Sequence, residues 1–141
     1  MEQIGAFVLN HWLLFLALVF ILALLFVSIA KDRLLGFKEI KPVEAVEMIN
    51  HQDAVVLDVR EPAEYAAGHI LNAINVPLAS LEDRIGELES YRSRPVIVCC
   101  RTGPRAARAS ALLRRNDFNA VSKLSGGILA WESAGLPVDK G

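Results

Sequence analysis

No lysine or arginine occurs among the first thirty of the 141 residues. A cleaved secretory leader carries a basic segment at its start, so this absence weighs against one. Histidine is scarce, with three in the chain, and neither His51 nor His69 has neighbours at metal-ligand spacing. A metal site is therefore not expected. No glycine-rich nucleotide fingerprint is present, which argues against a dinucleotide or P-loop site. Internal repeats and low-complexity tracts are also missing, so neither a repeat array nor a long disordered linker is expected. Charge of one sign does not prevail. Residues 31–141 hold all fifteen basic residues and fifteen of the sixteen acidic ones, Glu2 being the exception. Bulk attraction to nucleic acid is excluded on that balance. No metal, cofactor or nucleic-acid partner is expected.

What the chain does have is apolar and unevenly placed. Hydrophobic residues make up 53% of it, and Trp12 to Ala30 contains no charge at all. As a helix, that run would span roughly 28 Å, close to the hydrocarbon core of a bilayer. Trp12 stands at one end, where amphipathic rings favour the interface. Ser28-Ile29-Ala30 resembles a leader cleavage site, but the apolar run exceeds a leader's usual core. A buried core helix would not need apolar residues on every face. Lys31, Arg33, Lys38 and Lys41 follow the run closely, so the positive-inside rule places the rest of the chain in the cytoplasm. The expected organisation is a short tail at 1–11, a transmembrane helix at 12–30, a charged linker at 31–36 and one domain at 37–138. A single-pass protein of the inner (cytoplasmic) membrane is expected.

Within 37–138, strand and helix signals alternate. Phe37 to Ile40 reads as a short strand, and Pro42 opens a helix with Val43, Val46, Met48 and Ile49 on one face. Ala54 to Asp58 is a continuous apolar run, as expected of a strand buried on both faces. Pro62 to Ala67 reads as a helix closed by Gly68, Ala73 to Val76 as a brief strand, and Ser80 to about Leu88 as a helix. A strand after Pro95, a helix from Pro104 to about Arg115, a strand at Val121 to Leu124 and a helix around Trp131 complete the series. This alternation predicts a parallel sheet with helices on both faces.

The chain is organised around Val96-Ile97-Val98-Cys99-Cys100-Arg101-Thr102-Gly103-Pro104-Arg105-Ala106. A cysteine where a parallel strand gives way to a helix lies at the usual ligand-binding edge of an open α/β sheet. Loop N–H groups and a helix N-terminus favour a thiolate there, and Arg101 and Arg105 add positive charge. Cys100 opens the loop and is the candidate nucleophile. Cys99, inside the apolar strand, reads as a small buried hydrophobe. Adjacent Cα atoms lie about 3.8 Å apart, below the usual disulfide span, so the pair is not expected to bridge.

Three segments carry a family resemblance: VVLDVREPAEYAAGHILNAINVP at 55–77, VIVCCRTGPRAA at 96–107 and LSGGILAWESAGLPV at 124–138. In order and spacing they resemble a single rhodanese domain, from about residue 37 to 138. Cys100 to Arg105 is similar to that family's C-R-x-G-x-R loop. Asp58, Arg60 and Gly68-His69-Ile70 are similar to its D-x-R and G-H-I signatures. The resemblance implies a three-layer α/β fold with a five-stranded parallel sheet. It also implies a sulfurtransferase in which Cys100 takes sulfane sulfur from a small-molecule or protein donor such as thiosulfate, then passes it to cyanide or a thiol acceptor. The implied substrate-binding residues are Arg101, Thr102, Gly103, Arg105, Ala106 and Arg60. Arg105, with Arg101 or Arg60 as further candidates, would hold the donor's anionic oxygens. A structural ion pair with Asp58 is an equal reading for Arg60, and His69 reads as a packing residue. Asn72 and Pro104 depart from the common pattern, Pro104 by removing one loop N–H. Two other functions compete. One is a cysteine phosphatase or arsenate reductase, whose loops are one residue longer than Cys100 to Arg105. The other is a membrane-tethered binding module without activity.

Overall fold

The computed structural model describes residues 1–141, apart from the side chains of Asp32 and Arg33. It forms two compact units, Met1–Leu35 and Gly36–Gly141. The first consists of α1 (Glu2–Asn10) and α2 (Trp12–Leu35), with His11 at their junction in a non-helical conformation. Phe7 meets Phe15 edge-on across that junction. The stretch read from sequence as a short tail is thus helical over residues 2–10. Residues 31–35, read as linker, continue α2, because no glycine or proline interrupts it before Gly36 at φ +72°. Trp12–Lys31 is one helix long and apolar enough to cross a membrane, and none of that span is buried within the protein.

In the second unit, β1 (Lys38–Ile40), β2 (Val55–Asp58), β4 (Ile74–Asn75), β5 (Pro95–Cys99) and β6 (Ala120–Leu124) form one sheet. Its order is β1-β6-β5-β2-β4, and every pair is parallel. This is the expected five-stranded parallel sheet. The helices are α3 (Pro42–His51), α4 (Pro62–Ala67), α5 (Leu78–Arg84), α6 (Pro104–Arg115) and α7 (Gly127–Ser133). The stretch expected as one helix from Ser80 to Leu88 divides into α5 and a 3₁₀ segment over Ile85–Tyr91. An antiparallel pair, β3 (His69–Ile70) with β7 (Val138–Asp139), was not foreseen. Strands of two residues are too short to show a period in the sequence.

Side chains along β5 alternate between two cores, as strand geometry requires. Val96, Val98 and Cys100 pack with Leu81, Ala106, Ala109 and Leu113 from α5 and α6. Ile97 and Cys99 pack on the opposite face with Ala45 of α3 and Ile128 and Trp131 of α7. Each fully buried Val, Leu or Ile contributes about 1.5–3 kcal/mol, so β5 is held from both sides. Asp58 pairs with Cys99 in the register of β2 and β5, and the Val59 N–H donates to the Cys99 carbonyl at 3.0 Å. Val59-Arg60 and Cys100-Arg101 therefore leave the same sheet edge side by side.

Candidate active site

Cys100 ends on the α5–α6 side of the sheet, 1% exposed. The chain then turns so that the Gly103 N–H donates to the Cys100 Sγ at 3.0 Å. That turn needs Gly103 at φ +143°, ψ −33°, a region that residues with a Cβ rarely adopt. Gly103 is also the N-cap of α6, so the positive end of the helix dipole meets the loop holding the sulfur. Pro104 occupies the first turn of α6, where its missing N–H has no helical partner to lose. Thr102 and Arg101 are exposed, and Ala106 is fully buried beneath the loop.

Helix α7 holds the loop from behind. The Ile128 N–H donates to the Cys100 carbonyl at 2.8 Å, and the Leu129 N–H to the Arg101 carbonyl at 3.3 Å. Gly126 and Gly127 approach in left-handed conformations, at φ +71° and +61°. A Cβ on Gly127 would collide with the carbonyl oxygens of Cys100 and Arg101. In the sequence these two glycines mark no more than the start of the helix around Trp131. The signal was their pairing before an apolar helix, but its meaning depends on which backbone lies opposite.

Two of the three candidate anion-binding arginines, Arg60 and Arg105, are engaged within the protein. Arg60 Nε and Nη2 donate to the two Asp58 carboxylate oxygens at 2.6–3.0 Å, and Nη2 also donates to the Gly68 carbonyl at 2.7 Å. Both residues are buried, and the Arg60 N–H donates to Asp58 as well. Of the two readings of Arg60, the structure displays the ion pair. Arg105 makes a two-pronged contact with Glu64 of α4, at 2.7 and 3.0 Å. That hydrogen bond, with smaller help from the Glu61 N–H and the Arg60 charge, holds the Glu64 carboxyl down to about 2. Arg105 thus clamps the start of α6 to α4. Arg101 instead lines an open pocket of about 240 Å³ with Arg60, Glu64, Gly68, Ile128 and Glu132.

Cys99 points into the other core and is fully buried. Burial first, and then the Asp58 charge, push its thiol well above the ordinary range, so it stays protonated. The two cysteines are free. His69 lies stacked on Tyr65 at 3.7 Å between centroids, with Nδ1 2.8 Å from the Tyr65 carbonyl, which makes it a packing residue. Among the described residues, no group of His, Cys, Asp and Glu is placed to hold a metal ion. One cation near the loop was not singled out in the sequence: Lys123, in mid-strand on β6.

A rhodanese-like domain model matches residues 41–134. The uncharacterized protein YibN of Escherichia coli is 32% identical over 142 aligned positions, covering 100% of this chain and 99% of that protein. A sulfurtransferase from Allochromatium vinosum is 37% identical over 87 residues, covering 62% of this chain and 79% of the relative. Among solved structures, a rhodanese-related protein from Thermoplasma volcanium superposes with a TM-score of 0.67 at 35% identity, over 73% of this chain and 98% of that one.

Proposed function

This chain belongs to the rhodanese-like domain family, and on that premise we propose that it is a sulfurtransferase with Cys100 as the sulfur carrier. In the first half-reaction the Cys100 thiolate attacks the outer sulfur of thiosulfate. A new S–S bond forms, the donor's S–S bond breaks, and sulfite leaves with the electron pair. Cys100 is left as an anionic persulfide. In the second half-reaction a thiolate or cyanide attacks the terminal sulfur, gives a persulfide or thiocyanate, and restores the Cys100 thiolate. No redox cofactor or metal is needed for either balance.

The observation that supports this most directly is the 3.0 Å hydrogen bond from the Gly103 N–H to the Cys100 Sγ. It gives a fixed donor and a helix N-terminus to the Sγ, which carries the thiolate charge and to which the anionic outer sulfur of the persulfide would be bonded. Arg105 follows Cys100 by five positions and is held by Glu64, which leaves the loop short for a tetrahedral phosphoryl group. We further propose that α2 crosses the membrane once, with the domain on the cytoplasmic side, as the Lys and Arg placement suggests.

The test is mass spectrometry after exposure to thiosulfate. Cys100 should gain the mass of one sulfur atom, and Cys100→Ser should gain none, since its hydroxyl stays protonated. Cys99→Val should keep the activity and cost less than about 1.5 kcal/mol in a well-packed apolar site. A folded Cys99→Val as inactive as Cys100→Ser would overturn the assignment. Hydrolysis of an aryl phosphate that disappears in Cys100→Ser would replace sulfur transfer with phosphatase chemistry.

A further inference from the structure

Lys123 pairs with Val98 in the register of β6 and β5. Val98, Cys100 and Val121 share one core, so alternation sends the Lys123 side chain to the same face as Cys100. Its side chain is 17% exposed. Lys123 Nζ lies 3.5 Å from the position a Cβ on Gly103 would take, and Gly103 is the residue whose N–H donates to the Cys100 Sγ. Among the described residues its carboxylate partner is Glu39, at 3.4 Å and 53% exposed. Asp58 and Glu64, by contrast, hold Arg60 and Arg105 by closer, two-pronged contacts. Lys123 is therefore a mostly buried cation, loosely neutralised, at the base of the sulfur loop.

We propose that Lys123 is a positioning residue that stabilises negative charge on Cys100, first as thiolate and then as persulfide, and that Glu39 weakens it by competing for the ammonium. The proposal rests on Cys100 as the sulfur carrier and adds a second, longer-range source of charge to the Gly103 N–H. A cation held away from water acts over several ångströms with less screening than a surface one. A purely structural Glu39–Lys123 pair, tying β1 to β6, makes a different prediction. In that case loss of either partner would have the same effect.

The experiment measures alkylation of Cys100 by iodoacetamide at pH 7 on the full chain in detergent, with mass spectrometry separating Cys100 from Cys99. Lys123→Gln should slow alkylation roughly three- to ten-fold, and Lys123→Arg should restore much of the rate. Glu39→Gln should accelerate it, roughly two-fold, although it removes the same ion pair. Opposite signs support the electrostatic role. Equal rates in Lys123→Gln and the parent, or slowing in both variants, would overturn it. Should Lys123→Gln fail to fold, Glu39→Gln decides alone: an unchanged or slower rate refutes the proposal. Thiosulfate treatment of the parent separates the two claims. A Cys100 that gains no sulfur defeats the sulfurtransferase reading, whereas the alkylation ratios report on Lys123 alone.

Discussion

Between Cys99 and Cys100 the strand turns one sulfur into each core, and that single step of alternation separates an inert thiol from the loop sulfur. The surrounding charges are equally specific by residue. Asp58 is 0% exposed and faces Arg60, so Arg60→Ala would strand a buried carboxylate. A loss of about 3–5 kcal/mol is expected by chemical denaturation. An Arg60 that served only to bind the donor would leave stability unchanged and raise the KM for thiosulfate instead. Glu64 gives a pH-dependent counterpart. Its carboxyl is lowered from 4.5 to about 2 in the folded protein, chiefly by the Arg105 hydrogen bond. A lowered carboxyl adds stability above the unfolded value and loses it as pH falls through the folded one. Both side chains are about a third exposed, so solvent screening keeps the effect modest. Glu64→Gln should be less stable than the parent at pH 7, and urea denaturation should show that gap closing between about pH 4.5 and 2. A gap of constant size down to pH 2 would mean that Arg105 does not hold Glu64 in solution.

At the scale of elements, the sulfur loop is suspended between two helix starts. Helix α6 meets it through the Gly103 turn, and α7 through the Ile128 and Leu129 N–H groups. Gly127 is the point of closest approach, where a Cβ would strike backbone rather than a yielding side chain. Gly127→Ala should therefore displace α7 or the loop. Its positive φ adds strain on top of the collision. The expected outcome is a loss of at least about 2 kcal/mol on denaturation, with little persulfide on Cys100 in the protein that still folds. Near-parent stability and full sulfur loading in Gly127→Ala would show that α7 does not set the loop. Pro104 is expected to cost the cradle little, because it sits in the first turn of α6 and not at the donor facing the sulfur.

At the scale of the whole molecule, the apolar helices and the α/β unit differ in the surfaces they expose. Leu13, Phe20, Leu24 and Phe26 are exposed along α2, an arrangement water disfavours and lipid favours. The two cores of the α/β unit draw all their buried residues from Phe37 onward. The expected topology has the N-terminus outside and the domain inside. An impermeant maleimide should label Gln3→Cys on intact cells, and Lys140→Cys only after permeabilisation. Both positions are exposed, so access depends on the membrane alone. Equal labelling of Lys140→Cys before and after permeabilisation would reverse the orientation.

Local periodicity and punctuation sufficed for the alternation of elements, the parallel sheet, the apolar span and the placing of Cys100 at a strand end. Those properties follow from runs of apolar residues and from prolines and glycines acting on their own neighbours, so one chain of letters contains them. The partners of the charged residues are of another kind. That Arg105 grips Glu64, that Arg60 spends its donors on Asp58 and Gly68, and that Lys123 reaches the Gly103 turn depend on strand order β1-β6-β5-β2-β4 and its register. Glu64 and Arg105 are forty-one positions apart, and no local pattern relates them. The collision that reserves position 127 for glycine likewise exists only once α7 is packed against the loop. Close approach between distant segments is a property of packing, and only the folded chain decides it.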